Sequence, residues 1–263
     1  MTPGAEAGLA GPRVAEPGLG AVADDLAGAA LALARRYHVP GTTMWCASPA
    51  WPYHAHHVAV EFVHPVIVGK RALAALAVPP GADLVATLRA SVRPGDIACV
   101  LAPADDPVVG EAMRRSRAWG VETVWIGFGP RPDPGVADHV LWLPTDDEVA
   151  ASEQFVRIYH MLWELTHVCF EHPGLLEPEP ECDDPDGTGV CITCSDEGRL
   201  AEVVTVEGDE ARVRTPAGLE TVDVSLVEVA PGDLVVVHAG FVIGEGERTV
   251  SAAARDPAGG GAA

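Results

Sequence analysis

The chain is short of positive charge. Its 263 residues carry 17 Lys and Arg against 38 Asp and Glu, a formal charge of −21. A surface this acidic repels phosphate backbones and anionic lipid, which argues against nucleic acid or membrane as a partner. Long apolar runs are missing as well. No stretch approaches the roughly 18 residues that a membrane-spanning helix needs. The first residues, MTPGAEAGLAGPRVAEPG, lack a basic segment followed by an apolar one, so no signal peptide is expected. The expectation is a cytoplasmic protein whose six cysteines, at positions 46, 99, 169, 182, 191 and 194, are reduced thiols. Cys46, Cys99 and Cys169 lie inside apolar runs and read as core residues.

What is present divides into two patterns. Residues 1–20, rich in Gly, Ala and Pro, are expected to be a disordered tail. Residues 21–177 alternate helical and strand periods. Helices are predicted at about 21–37, 53–63, 83–90, 107–119 and 148–170, with strands at about 42–47, 97–102, 122–128 and 139–143 and a short apolar run at 73–78. This βα rhythm implies a parallel sheet covered by helices on both faces. Glu177 to Gly189 holds six acids, three Pro and two Gly, and residues 178–190 read as an acidic linker. Residues 191–246 change character: five short strands, at about 200–206, 211–215, 219–224, 234–238 and 241–244, are joined by tight turns. They suggest a small β-barrel with a thin core that gains from docking on a larger body. Residues 247–263 are expected to be a second disordered tail. The fold class is therefore α/β followed by a small C-terminal barrel.

The richest stretch is Thr221 to Glu245. It contains Val222-Asp223-Val224-Ser225-Leu226-Val227 and then Gly232-Asp233-Leu234-Val235-Val236-Val237-His238-Ala239-Gly240-Phe241-Val242-Ile243. Leu234 to Val237 is wholly apolar, as in a strand buried on both faces. His238 ends that run beside a Gly-containing bend. The combination of apolar strands with a fixed Asp, His and Gly-Phe resembles the HypC/HupF family of hydrogenase-maturation chaperones. That resemblance covers about a fifth of the chain and implies a working cysteine a few residues before the first barrel strand. In the family this thiol holds the iron–dicyano–carbonyl unit of the [NiFe] site and joins the hydrogenase large-subunit precursor or a HypD-like scaffold protein. Soft thiolate suits such iron. Here the candidates are Cys191 and Cys194 of Cys191-Ile192-Thr193-Cys194. A redox CxxC and half a zinc site, with Cys182 nearby, are the competing readings. His238 matches the family histidine, which implies a role beside the thiol; its plain reading is a strand-end histidine.

The first pattern resembles the SIS fold of sugar isomerases, phosphoheptose isomerase above all. The likeness rests on His54-Ala55-His56-His57-Val58-Ala59-Val60-Glu61-Phe62, on Asp96 to Leu101 and on Ala137 to Pro144. His54, His57 and Glu61 share one helix face, as do His160, Glu164 and His167 on the last helix. The resemblance implies a divalent metal held by His57 and Glu61 with His160, while Gln154 is two residues out of register. It also implies a homo-oligomer. The loops depart from the family. Ala47-Ser48-Pro49-Ala50-Trp51 has no glycine to let a sugar phosphate approach the backbone. Ala102-Pro103-Ala104-Asp105-Asp106 offers carboxylates where the family has serines, and Asp105 or Asp106 reads as a helix N-cap. Sugar-phosphate chemistry is therefore expected to be lost. The sequence reads as a hydrogenase-maturation chaperone with no turnover of its own; the alternative is an SIS-domain isomerase-like enzyme or ligand sensor with an accessory barrel.

Overall fold

The computed structural model describes residues 19–176 and 198–246, Leu19 and Glu245 through their backbone only. The expected N-terminal tail up to residue 18 and all of the expected C-terminal tail lie outside the described residues, as do the acidic linker and Cys182, Cys191 and Cys194. Among the described residues no helix is long and apolar enough to cross a membrane.

The helical and strand periods fold as read. Helix α1 (Ala23–His38) places Leu26, Ala29, Ala30, Leu33 and Tyr37 on one buried stripe, with Asp24 and Asp25 in its first turn and Arg35, Arg36 and His38 in its last. Those charges complement the helix dipole. Then follow β1 (Met44–Ala47), α2 (Pro52–Val63), β2 (Ala75–Ala77), α3 (Leu84–Ser91), β3 (Ile97–Leu101), α4 (Pro107–Ala118), β4 (Glu122–Phe128), β5 (His139–Leu143) and α5 (Glu148–Glu171). Asp83, Asp106 and Asp147 cap α3, α4 and α5 by accepting from first-turn amides. The five strands form one parallel sheet in the order β2-β1-β3-β4-β5. Central β3 is buried at every position, as a strand covered on both faces must be. Helices α1, α2 and α5 share the core on one face; α3 and α4 share the core on the other. Cys46 and Cys99, paired across β1 and β3, are fully buried, and Cys169 is buried in α5. Burial pushes the Cys99 thiol up to about 12, so it is an inert core group.

The second unit is a closed barrel in the order β10-β8-β7-β6-β9. Its strands are β6 (Arg199–Glu207), β7 (Glu210–Thr215), β8 (Gly218–Asp223), β9 (Leu234–His238) and β10 (Phe241–Glu245). The core consists of Ala201, Val203, Ala211, Val213, Val222, Val224, Val235, Val237 and Val242. At the β9–β10 turn Ala239 and Gly240 both take positive φ, 48° and 85°. That is the pairing a tight hairpin of right-handed twist demands.

The barrel docks on the face that carries α3 and α4. Leu234 and Leu200 join the core of that face. Between the units lies the carboxylate of Glu202, 1% exposed. It accepts from the Trp119 indole at 3.0 Å and from Arg115 at 3.0 Å, and is paired with Arg89. Arg115 also donates to the Gly232 carbonyl at 2.8 Å. Gly120 takes φ +76°, and a Cβ there would lie 3.0 Å from Pro216 of the barrel. Only a glycine both turns the chain after α4 and lets Pro216 this close.

Breaking a buried ion pair from one side leaves the other charge stranded, which costs about 3–5 kcal/mol. Glu202→Ala is expected to lower unfolding stability by about 3 kcal/mol or more, read by urea denaturation with tryptophan fluorescence. A loss below about 1 kcal/mol would show that the interface does not depend on this carboxylate.

Candidate functional site

Helix α2 leaves the C-terminal end of β1 with Pro52 in its first turn, where a missing N–H costs nothing. It lies along α5, and polar contacts advance along both helices together. Trp51 donates its indole N–H to Glu148 at 3.0 Å. Ser152 Oγ lies 3.0 Å from the Tyr53 hydroxyl and 2.9 Å from His54 Nε2. Farther along, the Tyr159 hydroxyl lies 2.6 Å from His57 Nδ1.

At this end three ligand-type atoms converge. His57 Nε2 is 3.2 Å from Glu61 Oε1, His160 Nε2 is 3.3 Å from His57 Nε2, and His160 Nε2 is 3.3 Å from Glu61 Oε1. His57 and Glu61 sit at i and i+4 on α2, so one helix face presents both; His160 comes from α5. All three are partly exposed. Three atoms so spaced enclose a point about 1.9 Å from each, close to the bond length of roughly 2.0–2.1 Å that a divalent ion such as zinc makes to nitrogen and oxygen. The donor set, two imidazoles and one carboxylate, also fits such an ion. With Nε2 directed at the shared point, His57 keeps its proton on Nδ1, and the Tyr159 oxygen is placed to accept it. Ligating histidines commonly have such a partner on the other ring nitrogen. Burial, with the Glu61 and Tyr53 charges adding to it, raises the Tyr159 hydroxyl well above the usual phenol range, so it remains a neutral phenol.

The other histidines of the two helix faces go elsewhere. His54 is 1% exposed, its Nδ1 has no hydrogen-bond partner and its ring packs edge-on against Phe155. Burial, then the neighbouring His57, lowers its pKa to about 4. His167 is buried with Nδ1 2.9 Å from the Trp163 carbonyl and Nε2 3.0 Å from the Arg71 carbonyl, so it is engaged in the core and not in the cluster. Glu164 is exposed and Gln154 buried. The helical spacing that groups His160 with Glu164 and His167 thus gathers only His160 into the site. Sequence reasoning passes over Tyr159. Adjacent helical residues diverge in direction, so a tyrosine next to His160 gives no periodic signal.

In the loop after β3, Asp106 is committed to the α4 cap, with Oδ1 accepting from Val108 and Val109 at 3.0 and 3.1 Å. Asp105 is exposed beside it. In the barrel, His238 is half-buried at the end of β9, opposite Phe241 across the hairpin. Asp223 and Asp233 hold turns: Asp223 accepts from the Ser225 amide at 2.8 Å, and Asp233 from the Ala230 amide at 2.8 Å. Part of the barrel motif is therefore turn chemistry.

No protein-family model matches the chain, and no curated protein matches it. Among solved structures it is similar to a phosphoheptose isomerase from Francisella tularensis, at 15% identity over 56% of this chain and 87% of that one, TM-score 0.49. It is also similar to phosphoheptose isomerase GmhA from Neisseria gonorrhoeae, at 14% identity over 55% and 86%, TM-score 0.46. A third likeness is to the sugar isomerase domain of an RpiR transcription factor from Sphaerobacter thermophilus, at 14% identity over 59% and 87%, TM-score 0.41.

His54 supplies a pH dependence. Its folded pKa of about 4 lies below its ordinary 6.5, so between these values the unfolded chain binds the extra proton. Stability is then fully present above pH 6.5 and falls as pH drops toward 4, by up to roughly 3 kcal/mol. Urea unfolding of His54→Phe at pH 7, 5.5 and 4.5 is expected to show a flatter acid decline than wild type. Parallel declines would place the loss on other groups.

Proposed function

We propose that the chain is a [NiFe]-hydrogenase maturation chaperone whose barrel carries or hands over an iron–dicyano–carbonyl group through Cys194 or Cys191, assisted by His238. The observation that carries this reading is the sequence of β8, β9 and β10, where the fixed Asp, His and Gly-Phe positions of the chaperone family occur within one closed barrel. The register adds to it. Arg199 faces Val237, so β6 starts beside the His238 end of β9. Cys194 precedes Gly198 by four residues, at most about 14 Å of extended chain, and Cys191 by seven, at most about 25 Å. Cys194 is therefore on the shorter tether to His238. An imidazole near the thiol favours the thiolate and can donate to a bound cyanide. Transfer is ligand exchange at iron: one thiolate leaves as another binds, and no oxidant is needed. The partners on this reading are the hydrogenase large-subunit precursor and a HypD-like scaffold in the cytoplasm, with the sheet unit pairing into a homo-oligomer.

A second reading is a metal-dependent isomerase-like enzyme or ligand sensor centred on the sheet unit. The observation favouring it is the convergence of His57, Glu61 and His160. A bound divalent ion would supply Lewis-acid polarisation there, and Tyr159 would orient His57. Asp105 and Asp106 weigh against a phosphosugar, since close carboxylates repel a phosphate dianion by roughly several kcal/mol where solvent is scarce.

Infrared spectroscopy tests the first reading. Protein purified anaerobically with its maturation partners is expected to show cyanide and carbonyl bands that Cys194→Ala removes. Loss with Cys191→Ala instead would move the ligand to that residue. Absence from wild type, with the partners loaded, would overturn iron carriage. The second reading is tested by zinc titration in the Cys191→Ala/Cys194→Ala background, followed by calorimetry. One equivalent is expected to bind, to be lost in His57→Ala, Glu61→Ala and His160→Ala, and to weaken about tenfold or more in Tyr159→Phe. Unchanged binding in those variants would dismiss the site.

A further inference from the structure

A cavity lies where the barrel meets the N-terminal ends of β3, β4 and β5. It measures about 520 Å³ and is walled by Arg36, Arg117, Glu122 and Asp138 from the sheet unit and by Arg199 and Pro216 from the barrel. That volume lies within the usual range for small-molecule sites. Three of the chain's 17 basic residues meet in this one cleft of a protein charged −21.

The two carboxylates in the wall are already committed. Glu122 accepts from Arg36 Nε at 2.9 Å and faces His139 Nε2 at 3.1 Å. Burial pulls its pKa upward, yet the His139 and Arg36 contacts outweigh this and hold it below the usual glutamate value. Asp138 accepts from Arg117 Nε at 2.7 Å and from the Thr123 amide and hydroxyl at 2.9 and 2.7 Å. The arginines have donors to spare. Among the described residues Arg36 uses only Nε, leaving both terminal amino groups. Arg117 uses Nε and one amino group, the latter on the Gly135 carbonyl. Arg199 spends both amino groups on Glu220, at 3.1 and 3.0 Å, and keeps Nε. Each guanidinium is thus oriented by a carboxylate on one side and retains N–H groups for an anion. Among the described residues no aromatic side chain lines the cavity, so they give a nucleobase nothing to stack on.

We propose that this cleft binds a compact polyanion, one carrying two or more phosphate or carboxylate groups, clasped between Arg36 and Arg117 of the sheet unit and Arg199 of the barrel. Because both units supply a wall, the anion binds only the docked arrangement. It stabilises that arrangement by mass action and so reports a small metabolite's level to the barrel. The site is separate from the His57–Glu61–His160 cluster and does not rest on either functional reading.

The test is calorimetry and thermal unfolding of the full chain with sodium pyrophosphate and, in a second arm, sodium citrate, at 0.15 M salt. Sodium chloride at matched ionic strength controls for screening. Saturable one-to-one binding is expected, weakened at least tenfold in Arg36→Gln and in Arg199→Gln and unchanged in Arg131→Gln, whose arginine lies outside the cleft. The tighter arm identifies phosphate or carboxylate as the recognised group. Circular dichroism confirms that each variant is folded, and Arg199→Lys, which keeps the charge, retains part of the affinity. If neither anion shifts the unfolding midpoint more than sodium chloride does, or if Arg36→Gln and Arg199→Gln bind as wild type, the proposal fails.

Discussion

The buried carboxylate of Glu202 decides how this protein is assembled. It belongs to the barrel, where Arg214 lies 4.0 Å away, yet the groups that hydrogen-bond it, Arg89, Arg115 and Trp119, all belong to the sheet unit. A carboxylate stripped of water is tolerable only when its oxygens are filled by donors, and a directional contact of this kind admits one orientation. The apolar contribution at the interface, Leu200 and Leu234 against the core under α3 and α4, drives docking without choosing its angle. The charge cluster chooses it, and the fit of Pro216 over Gly120 follows from that choice.

The same orientation arranges what the chain can do. It leaves α2 and α5 on the far face of the sheet, so the histidine–carboxylate cluster and the barrel are on opposite sides. The two functional readings therefore draw on separate surfaces, and a chaperone barrel does not exclude chemistry or sensing between the helices. The arginine-lined cleft lies at the seam and is the only one of these features that both units build.

Much of this was legible beforehand, for identifiable reasons. The apolar run 97–102 and the mostly apolar run 122–128 become inner strands of the sheet, covered on both faces. The pairs Val222/Val224 and Val235/Val237 fill the barrel core. His57 and Glu61 announce themselves by helical spacing, and the placing of His160 beside them came from resemblance. Glu202 gave no signal. In Leu200-Ala201-Glu202-Val203 it reads as a solvent-facing residue of a half-buried strand, and its burial exists only once a second body covers it. Tyr159 was hidden for the same kind of reason, since a side chain that meets another helix is specified by packing and not by its own neighbours. The strand-end position of His238 was visible, whereas the roles of Asp223 and Asp233 as turn-holders emerged only with the backbone.

The seam between the units has one more consequence. Because α5 and β6 belong to a single chain, docking is an intramolecular event, and the barrel meets its seat at an effective concentration on the order of millimolar. An interface too weak to unite two separate acidic proteins in dilute solution is then sufficient to keep these two together. The covalent join thus relaxes the demand on the contact surface, and a handful of arginines can hold in place two bodies whose net charges repel.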